Sequence, residues 1–584
     1  MATETIVSPG VLLQEIDKSF ITPGTDPSGL AIIGPTARGP IEVPTVVQNY
    51  NDYKNIFGTT IESASQAYEF FTSLTAKNYF QNGGSTALIT RVVPTKAGWT
   101  HASSSLVTAQ SSSDDTNNPF VITTLSMGEA LTNKGQTQES TYFSGGGLKT
   151  GSKDNIRWEV SNINKSNGTF TVSVRRGDDN TASPLVLEQF TNLSLDPLSP
   201  NYISNKIGDQ YFTNDGTSVT VNGEYPNKSQ YIRISSVKPT YQYLAPDGSV
   251  AISDTTSVTY TASLPTAQSG TFDGGGGNNL LNSPVKFGSQ VTDGNIQGLA
   301  HSDFTDAISI LSNKEEYKFK TLVVPGLTQA GTYTSAKVDA IITNTTSRGD
   351  SLFVVDLDLY GATINTVKEE AEELDTSYAA AYYPWAQVRS AELGRNVWCP
   401  PSVIIPGVYA KNDSIAAPWF APAGLTRGGI TNVVKVEKKL SKTQRDDLYT
   451  SKVNPIATFP GQGIVVFGQK TLQQANSALD RVNVRRMLLD VKDTIGKFSR
   501  KLVFEQNTQQ TRDRFVRQAT PYLESLVQRQ GLYAFQVKMD GQNNTPDVID
   551  ENKLVGQVFL QPTKTAEFVV LDFVLTPTGA SFTD

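Results

Sequence analysis

Hydrophobic positions follow different rules in different stretches of this 584-residue chain, and each rule predicts a different kind of element. Leu30-Ala-Ile-Ile-Gly34 is an unbroken apolar run and predicts a buried strand. Ser63 to Phe80 predicts a helix with Ala67, Phe70, Phe71 and Leu74 on one face, ended by Gly83-Gly84. Ala87 to Val93 returns as a strand, so the first region is an α/β layer. From Gly98 the pattern becomes alternation between Gly/Asn/Asp turns, as in Asn155–Val160 and Thr169–Val174, with no long helix expected before about residue 300. Gly274–Gly277 reads as a flexible loop near the end of that stretch.

Beyond it, helices at Asp303–Leu311 and Ala336–Thr345 alternate with strands at Phe319–Pro325 and Ser351–Leu357. That order predicts a partly parallel sheet with helices on its faces. Val484, Met487, Leu488, Val491, Ile495 and Phe498 step by three and four along a third helix. Arg485, Arg486, Lys492, Asp493 and Lys497 are left for its other faces. A fourth, about 508–530, stripes Phe515, Ala519, Tyr522 and Leu526, with Pro521 expected to kink it or start a new segment. Strands follow at Leu532–Met539 and Val555–Leu560. Ala566–Leu575 is apolar on both faces apart from Glu567 and Asp572, which suits a last core strand or a strand lent to a neighbour's sheet.

The fold class is therefore α/β and β, in several domains, as the length also requires. The expected divisions are an arm at 1–20, an α/β segment at 21–97, an inserted β-rich domain at 98–187 and a second β-rich portion at 188–300 packing with 21–97. After them come an α/β core at 301–470, a C-terminal α/β domain at 471–563 and an arm strand at 564–584.

Composition narrows the function. Charged residues are 18% of the chain and the net charge is −7, which argues against whole-surface binding to nucleic acid or to an anionic membrane. Residues 481–530 run the other way, with eleven Lys/Arg against five Asp/Glu; that segment is +6 and the rest of the chain −13. No run approaches the ~18 apolar residues of a membrane span, and the first residues have no signal-peptide pattern. The single cysteine, Cys399, excludes an internal disulfide framework and reads as a small buried hydrophobe.

Catalytic chemistry has little to draw on. His101 and His301 are the only histidines, and neither has partners at metal-ligand spacing. There is no Gly-x-Ser-x-Gly elbow, and neither Gly274–Gly277 nor Gly461-Gln-Gly463 completes a nucleotide fingerprint. Asp356 and Asp358 sit at a strand end, where such sheets often place functional carboxylates, but turn capping accounts for them. Asp446-Asp447 and Glu369-Glu370 read as solvated helix faces. No catalytic residue, cofactor site or metal site is expected.

The run from Trp398 to Ile430 holds Pro400, Pro401, Pro406, Pro418 and Pro422 with Gly407, Gly424, Gly428 and Gly429, and reads as a stiff, irregular path. Its Pro-Pro-Ser…Gly-x-Tyr-Ala…Asp…Ala-Pro-Ala-Gly…Arg-Gly order resembles the tail sheath family of contractile-tail bacteriophages. Ser8–Ile16, Gly34–Pro40, Tyr79–Gly84 with Arg91-Val-Val, Glu188–Pro197, Arg485–Lys492, Phe504–Asn507 and Ala566–Phe568 resemble the same family in the same order. Roughly 98–185 and 200–300 carry no recognisable motif of it.

The resemblance implies a sheath core of discontinuous segments plus the C-terminal part, with the β-rich insertions outward. It also implies that both chain ends add strands to adjacent subunits. The matching arm positions are Ile6, Val7, Val11 and Leu13 at one end, and Phe568, Val570, Leu571, Phe573 and Leu575 at the other. Arg485, Arg486, Lys492 and Lys497 are the expected tube-facing residues. The implied partners are further copies in a helical homopolymer, the tail tube, and baseplate and tail terminator proteins, with no direct nucleic-acid binding and no stable membrane insertion. The implied location is the virion tail, assembled in the host bacterial cytoplasm. The sheath of a type VI secretion apparatus or an extracellular contractile particle is the alternative, and a secreted β-rich hydrolase or adhesin the reading from another class.

Overall fold

In the computed structural model, residues 28–63, 66–94, 98–104, 107, 118–128, 147–148, 151–241, 264–277 and 285–567 are described. All nine expected arm residues, from Ile6 to Leu13 and from Phe568 to Leu575, lie outside them.

An eight-stranded sheet carries the largest core. Its strands are β1 (Ser28–Gly34), β2 (Thr45–Val47), β3 (Ala87–Arg91), β4 (Phe319–Thr328), β5 (Leu352–Asp356), β6 (Ala379–Tyr383), β7 (Val453–Phe459) and β8 (Gly463–Val466). They lie in the order β2-β3-β1-β4-β5-β6-β7-β8. The six from β3 to β7 are parallel, while β2 and β8 join the edges antiparallel. Every residue of β3, β5 and β6 is buried, and these strands are apolar apart from Thr90 and Arg91 in β3 and Asp356 at the end of β5. Helices α1 (Phe71–Gln81), α2 (Ser335–Arg348) and α3 (Ile405–Ile415) add buried side chains to the chain's cores from outside the sheet, led by Leu74, Val338 and Ile405.

The expected helix from Ser63 to Phe80 is only half present. Thr60–Ser63 and Gln66–Glu69 form an antiparallel hairpin, and α1 begins at Phe71. Tyr68 stacks on Phe287, with ring centroids 4.2 Å apart, and Phe70 packs on the same ring. A partner more than 200 residues away thus draws Ala67–Phe70 out of the helical register.

The region from Gly98 forms two four-stranded antiparallel sheets. One orders Val186–Ser194, Thr169–Arg176, Ile156–Asn164 and Gln268–Gly270; the other orders Ile232–Val237, Phe120–Met127, His101–Ser104 and Phe272–Asp273. Phe120 from one sheet stacks on Phe170 from the other at 5.4 Å, inside one core that includes Trp158, Ile232 and Phe272. Val186–Ser194 runs across residue 187, and strands from before and after that point pair in both sheets. His101 lies in a strand. The Gly274–Gly277 run is a docked turn instead of a loose loop. Thr100 Oγ1 accepts from Gly276 N (2.6 Å) and donates to Gly274 O (2.9 Å). Gly277 has φ 103°, and a Cβ there would stand 2.4 Å from the Trp99 indole.

The C-terminal part is a smaller layer. Helices α4 (Val482–Arg500) and α5 (Gln509–Gln528) cover one face of an antiparallel pair, β9 (Leu532–Lys538) and β10 (Gln557–Pro562). Phe535, Val537, Val558 and Leu560 point to the helices and share a core with Met487, Val491, Leu523 and Leu526. α5 runs through Pro521 without starting a new segment.

Candidate functional site

The carboxyl ends of the parallel strands are where open α/β sheets usually bind ligands. Here that space is taken by the Pro-rich run itself. Asn396–Cys399 is a strand, Pro401–Val403 a turn of 3₁₀ helix, and α3 follows at once with seven buried residues, from Ile405 to Asn412. The expected irregular path is thus largely helical. Pro401 and Pro406 fall in the first turns of their helices, where a missing N–H costs nothing.

Asp356, the last residue of β5, is the anchor. Its carboxylate accepts from Ser402 N at 3.0 Å, Ser402 Oγ at 2.5 Å and Gly326 N at 3.2 Å. Full burial pushes its pKa up to about 6, against the opposing pull of those hydrogen bonds. Capping is therefore what this carboxylate does. Among the described residues no group of three His, Cys, Asp or Glu could hold a metal. Cys399 is buried beside this seat, and burial raises its thiol pKa. It is inert packing.

The same run grips α1. Asn78 Nδ2 donates to the carbonyls of Val403 and Ile404, each at 3.2 Å. A Cβ on Gly407 would stand 3.0 Å from Asn78 O, so any larger residue there would press the two helices apart by a few tenths of an ångström.

Its far end grips α4. Tyr409 and Tyr382 share a hydroxyl hydrogen bond of 2.7 Å, and the Arg486 guanidinium lies 4.5 Å over the Tyr409 ring. Arg486 also pairs with Asp413. Burial works against that charge, but Asp413 outweighs it and the Arg486 pKa is raised. Arg485 donates to Ser377 and stacks 4.1 Å over Tyr378. Trp419 Nε1 donates to Arg529 O at 3.0 Å, and Asn483 Nδ2 to Trp419 O at 3.1 Å. One segment thus bolts the large sheet to the C-terminal layer.

A second anchor holds the point where the described chain ends. Glu567 accepts a bidentate pair from Arg481 (2.7 and 3.0 Å), with Gln469 Nε2 at 3.1 Å and Tyr449 Oη at 2.9 Å. Burial alone would raise its pKa; the Arg481 bonds win and lower it. Around it lies a groove of about 330 Å³ lined by Pro455, Phe467, Tyr449 and Arg445.

The third feature is an unfinished sheet. β9 and β10 pair only with each other among the described residues, so each keeps one outer edge. Tyr533 (63% exposed) and Phe559 (52%) sit on the face turned away from the helices. Helices α4 and α5 support the inner face of this ribbon, while its outer face and, among the described residues, its two outer edges stay bare.

Residues 294–472 match the phage tail sheath protein central domain and residues 474–576 the phage tail sheath C-terminal domain. Residues 294–576 thus belong to the phage tail sheath family. It is 38% identical to the tail sheath protein of Enterobacteria phage T4 over 187 residues, which is 32% of this chain and 28% of that protein. With the tail sheath protein of Salmonella phage ViI it shares 30% identity over 288 residues, 48% of this chain and 44% of the relative. The chain thus matches less than half the length of either relative. The crystal structure of a sheath tail protein from Listeria innocua has the same fold at a TM-score of 0.53 and 10% identity, covering 93% of each chain.

Within this sheath-family stretch, two of the four expected tube-facing residues need correction. Arg485 and Arg486 are 3% and 8% exposed and spend their guanidinium groups inside the molecule. The reason is that α4 is buried on two sides: Val482 and Leu489 enter the sheet core while Val484, Met487 and Val491 enter the C-terminal core. Lys492 and Lys497 do face outward, near Tyr378 Oη (3.3 Å) and Asp493 (2.8 Å). Sequence reasoning missed Asn78, Tyr382, Asp413 and Arg481 as clamps. Only the last two had a signal, since unpaired charges beside apolar signature residues need partners.

Proposed function

We propose that this chain is a structural subunit of a contractile injection sheath and, more finely, of a phage tail sheath that polymerises helically around the tail tube. The observation that carries the reading is the open β9–β10 pair beside the Glu567 anchor. Strand edges left bare invite pairing. Arms from adjoining copies, residues 1–20 and the part of 564–584 beyond the Glu567 anchor, complete the pair as added strands. Each subunit is then tied to its neighbours through main-chain hydrogen bonds while its body stays rigid.

The function is mechanical, with energy stored at assembly rather than drawn from a nucleotide. If the contracted lattice buries roughly 400 Å² more apolar surface per subunit, the gross yield is about 10 kcal/mol each, before ordering costs. Contraction moves the clamped body as one piece and bends the arm roots. The β-rich region at 98–300 lies outward of this mesh. Lys492 and Lys497 face the tube, and baseplate and terminator proteins close the ends. The particle belongs to the virion and assembles in the host cytoplasm.

The test is electron microscopy of the purified chain with and without residues 1–20 and 568–584, a trim that keeps Glu567. The full chain forms hollow cylinders and the trimmed chain remains monomeric with an unchanged melting temperature. Cylinders from the trimmed chain would refute the reading.

A further inference from the structure

Between the loop that follows β1 and the β-rich region lies a cavity of about 280 Å³, at the small end of the roughly 300–1,000 Å³ of ligand sites. Trp99, Tyr211 and Phe212 wall it with aromatic rings, and His101, Asn214 and Arg233 bring nitrogen groups to it. The rest of its lining is apolar, and no Asp or Glu lines it among the described residues. Three pieces of chain close it. His101 and Arg233 stand on the same four-stranded sheet, and Tyr211–Asn214 forms a ribbon with Val219–Asn222. Asn214 Nδ2 pins that ribbon to the loop by donating to the Glu42 carboxylate at 3.0 Å.

The cavity carries charge that the chain does not answer. The Arg233 guanidinium lies 5.0 Å over the Tyr211 ring. Its Nε is buried without a hydrogen bond, and the group forms no ion pair among the described residues. Arg91 is wholly buried, 5.1 Å over the Trp99 ring. Its Nη1 donates to the carbonyls of Gly39 and Met127, while Nε and Nη2 have no partner. Burial pushes the Arg91 pKa down to about 9, and lowers that of Arg233 against the pull of Tyr211 and Asp209. Burial and the Arg233 charge also hold the His101 imidazole below its ordinary pKa, which leaves Arg233 as the cation facing the cavity. Guanidinium groups without a carboxylate are costly in an interior, so two of them around one cavity point to an anion that arrives from outside.

We propose that this cavity binds a small organic acid, a single carboxylate carried on a ring. The carboxylate meets the Arg233 guanidinium, and the ring lies against the Tyr211 and Phe212 side chains. A bare inorganic anion leaves the aromatic walls unused, and a neutral ring leaves the guanidinium unanswered. The same chemistry comes free in solution as an aromatic acid or at the end of an acidic glycan as a sugar acid. The site stands on the cavity alone and is independent of the sheath reading.

The full chain is titrated by calorimetry with benzoate, glucuronate, benzamide and sulfate, and thermal unfolding is followed on the same samples. At least one of the two ring acids binds at a single site, benzoate marking a free aromatic acid and glucuronate a glycan end. Benzamide and sulfate bind about tenfold or more weakly than that acid. Arg233→Gln loses acid binding by a similar factor yet melts at or above the wild-type temperature, because it removes an unanswered charge. Phe212→Ala, at an exposed ring, weakens binding and leaves the melting temperature unchanged. Absence of binding by both acids overturns the inference, as does an acid that binds Arg233→Gln as tightly as wild type. Equal binding of benzamide overturns it by taking charge out of the recognition, and equal binding of sulfate by taking the rings out. Arg233→Gln melting well below wild type also overturns it, since the guanidinium then serves the fold.

Discussion

The large sheet and the C-terminal layer treat their edges in opposite ways. In the sheet, β8 is the last strand on one side, and residues 428–430 cover it through Val466 N to Gly428 O and Ile430 N to Ile464 O. The carboxyl ends of β4 to β6 are plugged by Pro401–Val403. In the C-terminal layer, β9 and β10 keep their outer edges among the described residues and show Tyr533 and Phe559 to solvent. The closed region resembles an α/β scaffold whose ligand crevice has been filled by its own chain; the open one is, among the described residues, a pair of strands with bare edges. Under the proposed sheath function the contrast separates roles, with rigidity built into the first and assembly into the second. Substitutions in the closed region should cost stability and those in the open region should cost polymerisation.

The largest stability effect is expected at the bolt between the two. Arg486→Ala should destabilise the chain by about 2 kcal/mol, below the cost of breaking a fully buried pair because Asp413 is a third exposed. Thermal denaturation checks this, and a loss within error would break the claim that the two regions move as one body.

Asp356 sharpens the closed side through pH. Its folded pKa of about 6 lies above the ordinary 3.8, so the folded state binds the extra proton between those values. Stability from this group therefore rises as pH falls through 6. Relative to Asp356→Asn, the wild type should gain about 1 kcal/mol between pH 7 and pH 5. Denaturant titrations of both proteins at the two pH values measure it; a constant difference would show that the carboxylate keeps an ordinary pKa.

The smallest stability effect is expected on the outward face. Lys492→Glu with Lys497→Glu should change stability by less than about 1 kcal/mol, as exposed pairs do. Tube binding should weaken and lose its salt dependence. Unfolding together with tube co-sedimentation at two salt concentrations checks both halves.

Much of the closed region was legible in the sequence, because strands buried on both faces leave unbroken runs such as Leu30–Ile33 and Leu352–Val355. The helix stripe of α4 was legible for the same reason on one side. Its second buried side was not: a local pattern assigns Arg485 and Arg486 to water, and only the tertiary partners Ser377, Tyr378, Tyr409 and Asp413 make their burial tolerable. Pro406 misled for a related reason, since proline breaks helix interiors yet suits the first turn. The hairpin at Thr60–Glu69 hid behind a helical spacing that Phe287 overrides. Family motifs marked where the clamps are, but not which atoms they join.

Hydrogen exchange at the backbone amides of β9 and β10, compared between the dispersed chain and its cylinders, tests the account most directly. The outer-edge amides should exchange rapidly in the dispersed chain and become protected in cylinders, while those facing the other strand are protected in both. Outer-edge amides that exchange equally fast in cylinders would mean that no neighbour's strand ever pairs there.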